Sequence, residues 1–250
     1  MKDLTAPCLV FGFSSDSVPR TIAGGQPSRL LKGSVSLTKQ PDPSGQRADR
    51  KSRRLNLTRA ERAEIVKRRL FEAAVTLVGA NGYSAATVLQ ITKLADVAQG
   101  TFYNYYPSRQ DLLDQLLPKL GQEMLEHIRG KLRGLTDPLE LESARFKAFF
   151  DYLSETPQFM RILYEAQLFA PAGYTKHMQN VTDNYIRALD KGGLGERFSP
   201  EELNVLTSIM MGARSYLSYA FAYDGDEVRQ PPEYVFSAYD KLIRHGLFGQ

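Results

Sequence analysis

The chain after residue 107 divides into long segments that proline or glycine residues separate. Within each segment apolar residues recur every three or four positions, and no run alternates apolar with polar residues as a half-buried strand does. We therefore predict an all-α fold. The helices are expected over about 108–133, 138–155, 157–170, 173–191, 200–223 and 232–248, and Pro118 is expected to kink or break the first of them.

An earlier helix is predicted to begin after Thr58, because Glu61 three residues later completes a capping box. Its apolar residues share one face, and Asn81-Gly82 is expected to end it through a left-handed glycine. Residues 1–55 are rich in Ser, Pro, Gly and Gln and lack a sustained period. They are predicted to form a flexible, disordered tail.

Basic residues are concentrated at the start of the folded sequence. Residues 47–69 contain ten Lys or Arg against three Asp or Glu, whereas the whole chain carries a formal net charge of only +4. Such a concentration favours a polyanionic partner, most often nucleic acid. A solvated basic linker is the alternative interpretation of the charge alone.

The remaining composition favours a soluble cytoplasmic protein that is not an enzyme. Cys8 is the only cysteine and cannot form an internal disulfide, and no apolar run reaches the length of a membrane span. No nucleophile elbow, phosphate-binding glycine loop or zinc-protease motif is present, and His127, His177 and His245 lie far apart. We expect no cofactor, no metal and no membrane partner.

Residues 82–109 carry the most specific pattern. Thr87 can cap a short helix through Leu94, Asp96 can supply a turn, and a second short helix is predicted over Gln99–Tyr105, ended by Pro107. Two short helices joined by a tight turn form a helix-turn-helix, whose second helix fits the major groove of DNA. The side chains expected to cover its core side are Val88, Ile91, Leu94, Val97 and Phe102, with Tyr106 also packing inward.

This segment resembles the TetR family of transcription regulators. The resemblance covers about residues 62–115 and rests on Gly82-Tyr83, Thr87, Ile91, Ala95, Val97, Gly100 through Tyr106, Pro107-Ser108 and Asp111-Leu112-Leu113. It implies a three-helix DNA-binding domain over 56–107 and a helical effector-binding and dimerisation domain over 108–250. Together with the residue types on the second helix, it assigns DNA contacts to Thr87, Gln99, Gly100, Thr101, Tyr103, Asn104, Tyr105 and Arg109.

Three positions depart from the family pattern. Asp96 stands at a turn position that is usually Gly, although Asp tolerates the left-handed conformation better than most residues. Ala98 replaces the Ser that usually caps the recognition helix, so a cap is lost. Arg109 replaces the usual Lys and is expected to grip the DNA backbone with its fork of donors.

The last two predicted helices indicate a two-fold dimer. Residues 203–223 carry two apolar stripes, one containing Leu206 and Met210 and the other containing Val205 and Ile209. One apolar stripe can pack within the protomer, so a second stripe indicates contact with another protomer. A helix buried on all sides within one protomer is the alternative. The predicted interface residues are Leu206, Met210, Ala213, Leu217 and Leu242.

Large aromatic and methionine side chains between the helix-turn-helix and the last two predicted helices indicate an effector pocket. The candidate lining residues are Phe149, Met160, Tyr164, Phe169, Met178 and Tyr185, and they suit a hydrophobic ligand with one polar end. His177 and Asn184 could share a face with the pocket, and Arg161 or Lys176 could meet an anionic group. Aromatic residues at helical spacing are also ordinary core, so each assignment competes with that interpretation.

These observations predict a repressor that binds a palindromic operator as a dimer and is released by a small hydrophobic effector, acyl-CoA-like or aromatic. Binding would shift the helix over 108–133 and change the separation of the two recognition helices. A TetR-like activator or architectural DNA binder without an effector is one alternative. A helical enzyme or adaptor with an incidental helix-turn-helix is another.

Overall fold

The computed structural model describes residues 58–224 and 227–246, so the predicted tail over 1–55 lies outside the described residues. In the described part, nine α-helices follow one another. They are α1 (Arg59–Asn81), α2 (Val88–Ala95), α3 (Gln99–Phe102), α4 (Arg109–Lys131), α5 (Pro138–Glu155), α6 (Phe159–Phe169), α7 (Pro171–Lys191), α8 (Pro200–Phe221) and α9 (Glu233–His245). The prediction of an all-α fold is confirmed.

Two short elements interrupt the helical pattern. Tyr223–Asp224 (β1) and Glu227–Val228 (β2) pair antiparallel, with Tyr223 opposite Val228. Single 3₁₀ turns cover Tyr83–Ala85 and Leu194–Glu196. The second of these turns follows α7, where the sequence predicted a connection between helices. Among the described residues, no helix is long and apolar enough to cross a membrane.

Helix α1 begins and ends at the predicted residues. The Thr58 hydroxyl accepts from the Glu61 backbone N–H, while the Glu61 carboxylate accepts from the Thr58 backbone N–H, which is the predicted capping box. At the other end Gly82 has a φ of 81° but a ψ of 168°. The left-handed helix-cap conformation predicted there is therefore wrong, although the positive φ still favours glycine.

Helix α4 continues through Pro118, so of the kink or break expected there the break does not occur. Proline has no N–H to donate to the carbonyl of Asp114 four residues earlier. That carbonyl faces Gly173 of α7, where an added Cβ would lie 2.3 Å from the Asp114 oxygen. Only glycine allows the two helices to approach this closely, and the Gly173 backbone N–H donates to the Asp114 carboxylate at 3.2 Å.

The core runs through both halves of the described chain. Four buried leucines of α4, Leu112, Leu113, Leu116 and Leu117, lie at its centre. In the C-terminal half, Phe146 of α5 stacks on Tyr239 of α9 with ring centroids 3.7 Å apart. Helix α4 therefore packs both against α1 and against the helices of the C-terminal half.

Candidate DNA-reading surface and ligand cavity

The turn of the helix-turn-helix is built on Asp96. This residue has a φ of 53° and a ψ of 52°, the left-handed conformation expected for it, and its backbone N–H returns to the carbonyls of α2. Its carboxylate lies 3.1 Å from the guanidinium of Arg69 on α1. The ion pair offsets the negative charge that Asp96 brings to this surface, and residue spacing alone gave no sign of it.

Helix α2 presents one face to the core and another to solvent. Thr87 caps it in a capping box with Gln90, and Ile91 and Ala95 are buried. Leu94 is 51% exposed, so its predicted place in the core is wrong. The reason is the length of the helix, since eight residues offer only about two turns and Ile91 and Ala95 already occupy the inward face.

Helix α3 is shorter than predicted and ends at Phe102, while Tyr103 to Tyr105 continue as turns. Ala98 at its start makes no side-chain cap hydrogen bond, as expected. Phe102 and Tyr106 are buried. Their anchoring turns the remaining side chains of the segment outward.

Five of the eight predicted DNA-contacting residues are exposed. Tyr103 is 55% exposed, and Thr87, Gln99, Gly100 and Asn104 are also exposed. Thr101 and Tyr105 are half-buried, and Tyr105 packs partly on the core. Basic residues of α1 are exposed as well, namely Arg59, Arg62, Lys67 and Arg68.

Arg109 has a contact that the sequence did not indicate. Its Nε donates to the carbonyl of Ala86 at 2.7 Å, and its Nη2 donates to the carbonyl of Tyr83. Both carbonyls lie in the segment between α1 and α2. The guanidinium therefore fastens the start of α4 to the entrance of the helix-turn-helix, and these donors are directed at the main chain rather than outward.

Helix α6 holds the same entrance from the other side. The Glu165 carboxylate accepts from the Tyr83 backbone N–H at 2.8 Å, and Arg161 donates to the Ala80 carbonyl at 2.8 Å. Arg161 thus fixes the end of α1 rather than meeting a ligand anion as considered from sequence. Two helices of the C-terminal half, α4 and α6, contact the DNA-binding helices through charged side chains on main-chain groups.

A cavity of about 640 Å³ lies between α4, α5, α6, α7 and α8. Four predicted lining residues are present: Phe149, Tyr164, Met178 and Tyr185. The other two are not. Met160 is buried in the core beside a second, smaller cavity, and Phe169 stacks on Tyr83 with ring centroids 6.1 Å apart.

The cavity follows α7 and changes character along it. His177 and Asn184 line it as expected, and so does Lys191 at the end of the helix. Between His177 and Lys191 the helix rises about 21 Å. Near Lys191 the lining contains the exposed cations Arg129 and Arg187, whereas near His177 it contains Met124 and Phe159. The site thus has a basic end and an apolar end, but Lys176, considered from sequence as an anion partner, does not line it.

A buried carboxylate closes one wall of the cavity. Glu142 of α5 accepts from the hydroxyls of Tyr185 and Tyr239 at 2.6 Å each and from the guanidinium of Arg214, while Arg145 binds its second oxygen at 2.7 Å. Burial alone would raise the pKa of Glu142. Arg214, Arg145 and the two hydroxyls outweigh it and hold that pKa below its usual range. We refer to these five residues as the Glu142 cluster.

His177 differs from that cluster because no hydrogen bond among residues 58–224 and 227–246 satisfies its imidazole. The residue is 3% exposed, and its Nδ1 is sealed from solvent without a hydrogen-bond partner. A Cβ added at Gly121 of α4 would lie 2.1 Å from this nitrogen, so Nδ1 faces the glycine backbone. Burial lowers the pKa of His177 to about 4, and the imidazole is neutral at physiological pH.

The predicted dimer residues on α8, Leu206, Met210, Ala213 and Leu217, are half-buried within the protomer, and their place in an interface stays a prediction. Met210 and Leu217 pack against the main core and Leu206 against a small cluster around Leu203, so this stripe is engaged within the protomer. The exposed apolar side chains belong to the neighbouring stripe: Val205 and Ile209 at 59%, Tyr216 at 66% and Tyr219 at 59%. Ala213 is half-buried. Leu242 of α9 is 46% exposed, as an interface residue would be in a single protomer.

Comparison with known sequences assigns the N-terminal helices to a family. Residues 70–116 match the family described as bacterial regulatory proteins, tetR family. An uncharacterised HTH-type transcriptional regulator of Bacillus subtilis is 33% identical over 69 residues, 28% of this chain and 36% of that protein. The HTH-type transcriptional repressor KstR of Rhodococcus jostii is 27% identical over 46% of this chain and 53% of its own length.

The alignments span about a third to a half of these curated relatives. Comparison with solved structures extends further, at lower identity. FadR of Bacillus subtilis in complex with stearoyl-CoA superimposes with a TM-score of 0.58 at 18% identity, covering 72% of this chain and 98% of that one. At this identity the likeness establishes the fold of the helical bundle and nothing further about its ligand.

Proposed function

Because residues 70–116 match the tetR family of bacterial regulatory proteins, we propose that the chain is a cytoplasmic DNA-binding transcription regulator of that family, controlled by a ligand in the 640 Å³ cavity. The observation that carries the proposal is the placement of Gln99, Tyr103 and Asn104. All three are exposed while Phe102 and Tyr106 anchor the same short segment in the core. A short helix held in this way can enter the major groove. We further propose that 56–107 is the DNA-binding domain and 108–250 the effector domain.

DNA reading is tested with duplexes selected by the protein from a random library. Asn104→Ala should weaken binding to the selected duplex tenfold or more, because an amide that reads a base contributes about 1–3 kcal/mol. Binding to unrelated DNA should change little. The control is Gln179→Ala, an exposed polar side chain on α7. An equal loss of affinity for selected and unrelated DNA would mean that Asn104 contacts the DNA backbone rather than a base. Absence of DNA binding even at low salt would favour a helical enzyme or adaptor instead.

Arg109 has a revised part in this proposal. Its bonds to Ala86 and Tyr83 support a role in orienting the helix-turn-helix relative to α4, rather than the direct phosphate contact first assigned to it. Arg109→Lys keeps the charge but loses the two-carbonyl fork. It should therefore lower the cooperativity of thermal unfolding of the DNA-binding helices as well as DNA affinity.

A homodimer is part of the proposal, because a palindromic operator needs two recognition helices one helical turn apart. The exposed stripe of Val205, Ile209, Tyr216 and Tyr219 supports α8 as the interface, with Leu242 of α9 beside it. Ile209→Glu should give a monomer in sedimentation. Leu168→Glu places the same charge on another exposed apolar side chain, which is 76% exposed on α6, and should leave the dimer intact.

The effector class we propose is an apolar acyl chain with an anionic head, as in an acyl-CoA. It is supported by the basic end of the cavity at Arg129, Arg187 and Lys191, and by the stearoyl-CoA found in the FadR structure of similar fold. A basic rim favours the anionic class over an uncharged aromatic effector. Binding would act through α4 and α6, which line the cavity and also contact the entrance of the helix-turn-helix.

This part is tested by titrating the full chain with dodecanoyl-CoA and measuring operator affinity. Saturating ligand should weaken operator binding, as for a repressor that the effector releases. The double variant Arg187→Glu, Lys191→Glu should bind dodecanoyl-CoA at least tenfold more weakly, whereas Lys176→Glu on the outside of the same helix should not. An operator affinity that no ligand changes would favour an architectural DNA binder, and an increase would favour an activator.

A further inference from the structure

The apolar end of the cavity contains a buried imidazole, that of His177, whose hydrogen-bonding capacity the described residues do not use. Four other polar side chains of the lining are already engaged. Arg145, Tyr185 and Arg214 surround Glu142, and Asn184 donates to the Asn180 carbonyl at 2.7 Å. His177 is only 3% exposed, yet neither ring nitrogen has a partner among the described hydrogen bonds.

The two ring nitrogens of His177 have different surroundings. Nδ1 is sealed and faces the Gly121 backbone, which offers no acceptor at that point, only the Cα hydrogens. Nε2 is not sealed, and since His177 lines the cavity, Nε2 is the nitrogen that opens into it. A proton on Nδ1 would be a buried donor without an acceptor, whereas an unprotonated Nδ1 can contact the C–H groups of Gly121. The favoured tautomer therefore carries its proton on Nε2, directed at the cavity.

The apolar surroundings restrict what this donor can bind. Phe159 packs edge-on against the imidazole with ring centroids 6.0 Å apart, and Met124 lies on the adjoining turn of α4. A carboxylate at this end would lose its hydration and meet a neutral imidazole rather than a cation. An uncharged oxygen that accepts one hydrogen bond fits both the donor and the apolar walls.

We infer that His177 is a specificity-determining residue that recognises an uncharged oxygen, a hydroxyl or a ketone, on the effector at the end remote from its anionic head. The preferred ligand class is then an oxygenated acyl chain rather than a plain saturated one. The inference rests on the proposed function in its use of this cavity as the effector site. His177 lies about 21 Å along α7 from the basic end of the cavity. A ligand held at both ends must therefore carry its oxygen at a particular distance from its anionic head.

The experiment compares dodecanoyl-CoA with its monohydroxylated isomers, in which the hydroxyl stands at successive positions toward the methyl end. Dissociation constants are measured by calorimetry on the full chain. One isomer with a distal hydroxyl should bind about three- to tenfold more tightly than the parent, the gain of a single neutral hydrogen bond. His177→Leu should abolish that preference, and His177→Gln, which retains an N–H donor, should restore part of it.

The matched control is Gln167→Leu, which removes an exposed polar side chain from the same lining. It should leave the preference intact. The inference is overturned when no isomer binds more tightly than the parent, or when the preference survives His177→Leu in a protein that melts as the wild type does. Both outcomes leave acyl-CoA binding itself untouched.

A second pair of probes separates this inference from the proposed effector class. Hexyl methyl ketone and n-octane carry no anionic head, and their binding is followed as ligand-dependent thermal stabilisation. When all CoA probes fail to bind, the acyl-CoA proposal fails, but a larger stabilisation by the ketone that disappears in His177→Leu still supports the role of His177. Equal stabilisation by ketone and alkane overturns it.

Discussion

The cavity is bordered by two buried polar sites that have opposite states of satisfaction. At the Glu142 cluster a charged group receives four hydrogen bonds from four other side chains. At His177 a neutral ring receives none. Burial is nearly the same, at 6% exposure for Glu142 and 3% for His177. Burial alone therefore does not tell which polar group serves stability and which is available to a ligand, but the count of partners does.

The difference also concerns how far each site reaches. The Glu142 cluster joins α5, α7, α8 and α9, so its bonds hold the bundle together beneath the proposed dimer face. His177 of α7 contacts α4 through close packing on Gly121 and α6 through the Phe159 ring, and it makes no hydrogen bond to either helix among the described residues. We expect the first site to govern stability and the second to govern ligand preference with little effect on stability. The following predictions separate these two roles, from the largest expected effect to the smallest.

Glu142→Gln should be strongly destabilising, because it leaves Arg214 and Arg145 near the core without their counter-charge. Breaking one partner of a buried ion pair costs about 3–5 kcal/mol, which lowers Tm by on the order of ten degrees in a protein of this size. Urea and thermal unfolding measure the effect. Glu140→Gln, on the exposed side of the same helix, should change stability very little. A loss below about 1 kcal/mol in Glu142→Gln would mean that solvent reaches the cluster.

Acid should weaken the fold through His177. Its folded pKa is about 4 against an ordinary value of 6.5, so the unfolded chain binds more protons between these values and stability falls as pH decreases through that window. Between pH 7 and pH 5 the loss from this group is about 2 kcal/mol. It is measured as the difference between wild type and His177→Leu, which removes the contributions of other groups. Parallel pH profiles for the two proteins would show that the imidazole is hydrated.

Tyr239→Phe should cost about 1 kcal/mol, since it removes one of the four bonds to Glu142 and keeps the ring that stacks on Phe146. Chemical denaturation at neutral pH is sufficient to detect it. The remaining three donors still hold the carboxylate, so the effect should be a fraction of that of Glu142→Gln. A loss as large as that of Glu142→Gln would indicate that the cluster behaves as one cooperative unit.

His177→Leu should change the free energy of unfolding at pH 7 by less than about 1 kcal/mol in the absence of ligand, because the imidazole has no hydrogen bond to lose. The same variant should alter ligand preference. A strong destabilisation at neutral pH would place His177 with the Glu142 cluster as a structural group and remove the contrast between the two sites.

The DNA-binding helices could be predicted from sequence in detail because their signals are local. Thr58 with Glu61 and Thr87 with Gln90 form capping boxes within one turn of helix, and the resemblance to the TetR family over this segment is confirmed. Asp96 adopts the expected left-handed conformation through its own backbone preference. The length of α3 was the exception, since burial of Tyr106 ends the helix early and no spacing indicated it.

The C-terminal half was less predictable because its decisive contacts are distant in sequence. Glu142 and Tyr239 are 97 residues apart, and no periodicity relates them. On α8 the periodicity correctly gave two apolar stripes, but which of them faces the protomer depends on α7 and α9 packing against it. The stripe of Met210 was assigned to the dimer, whereas within the protomer it is half-buried and the neighbouring stripe is the more exposed. Phe169 was assigned to the cavity lining, but it stacks on Tyr83 and is 43% exposed.

The contact between Gly173 and the Asp114 carbonyl limits how this protein can be re-engineered. Helices α4 and α7 meet there at a distance that no side chain tolerates. A chimera that joins the C-terminal helices of this chain to the helix-turn-helix of another regulator would have its junction in or near α4. Such a hybrid must keep glycine at position 173, since any Cβ there would push the two helices apart, and it should keep the Asp114 carboxylate, which accepts from the Gly173 backbone N–H at 3.2 Å.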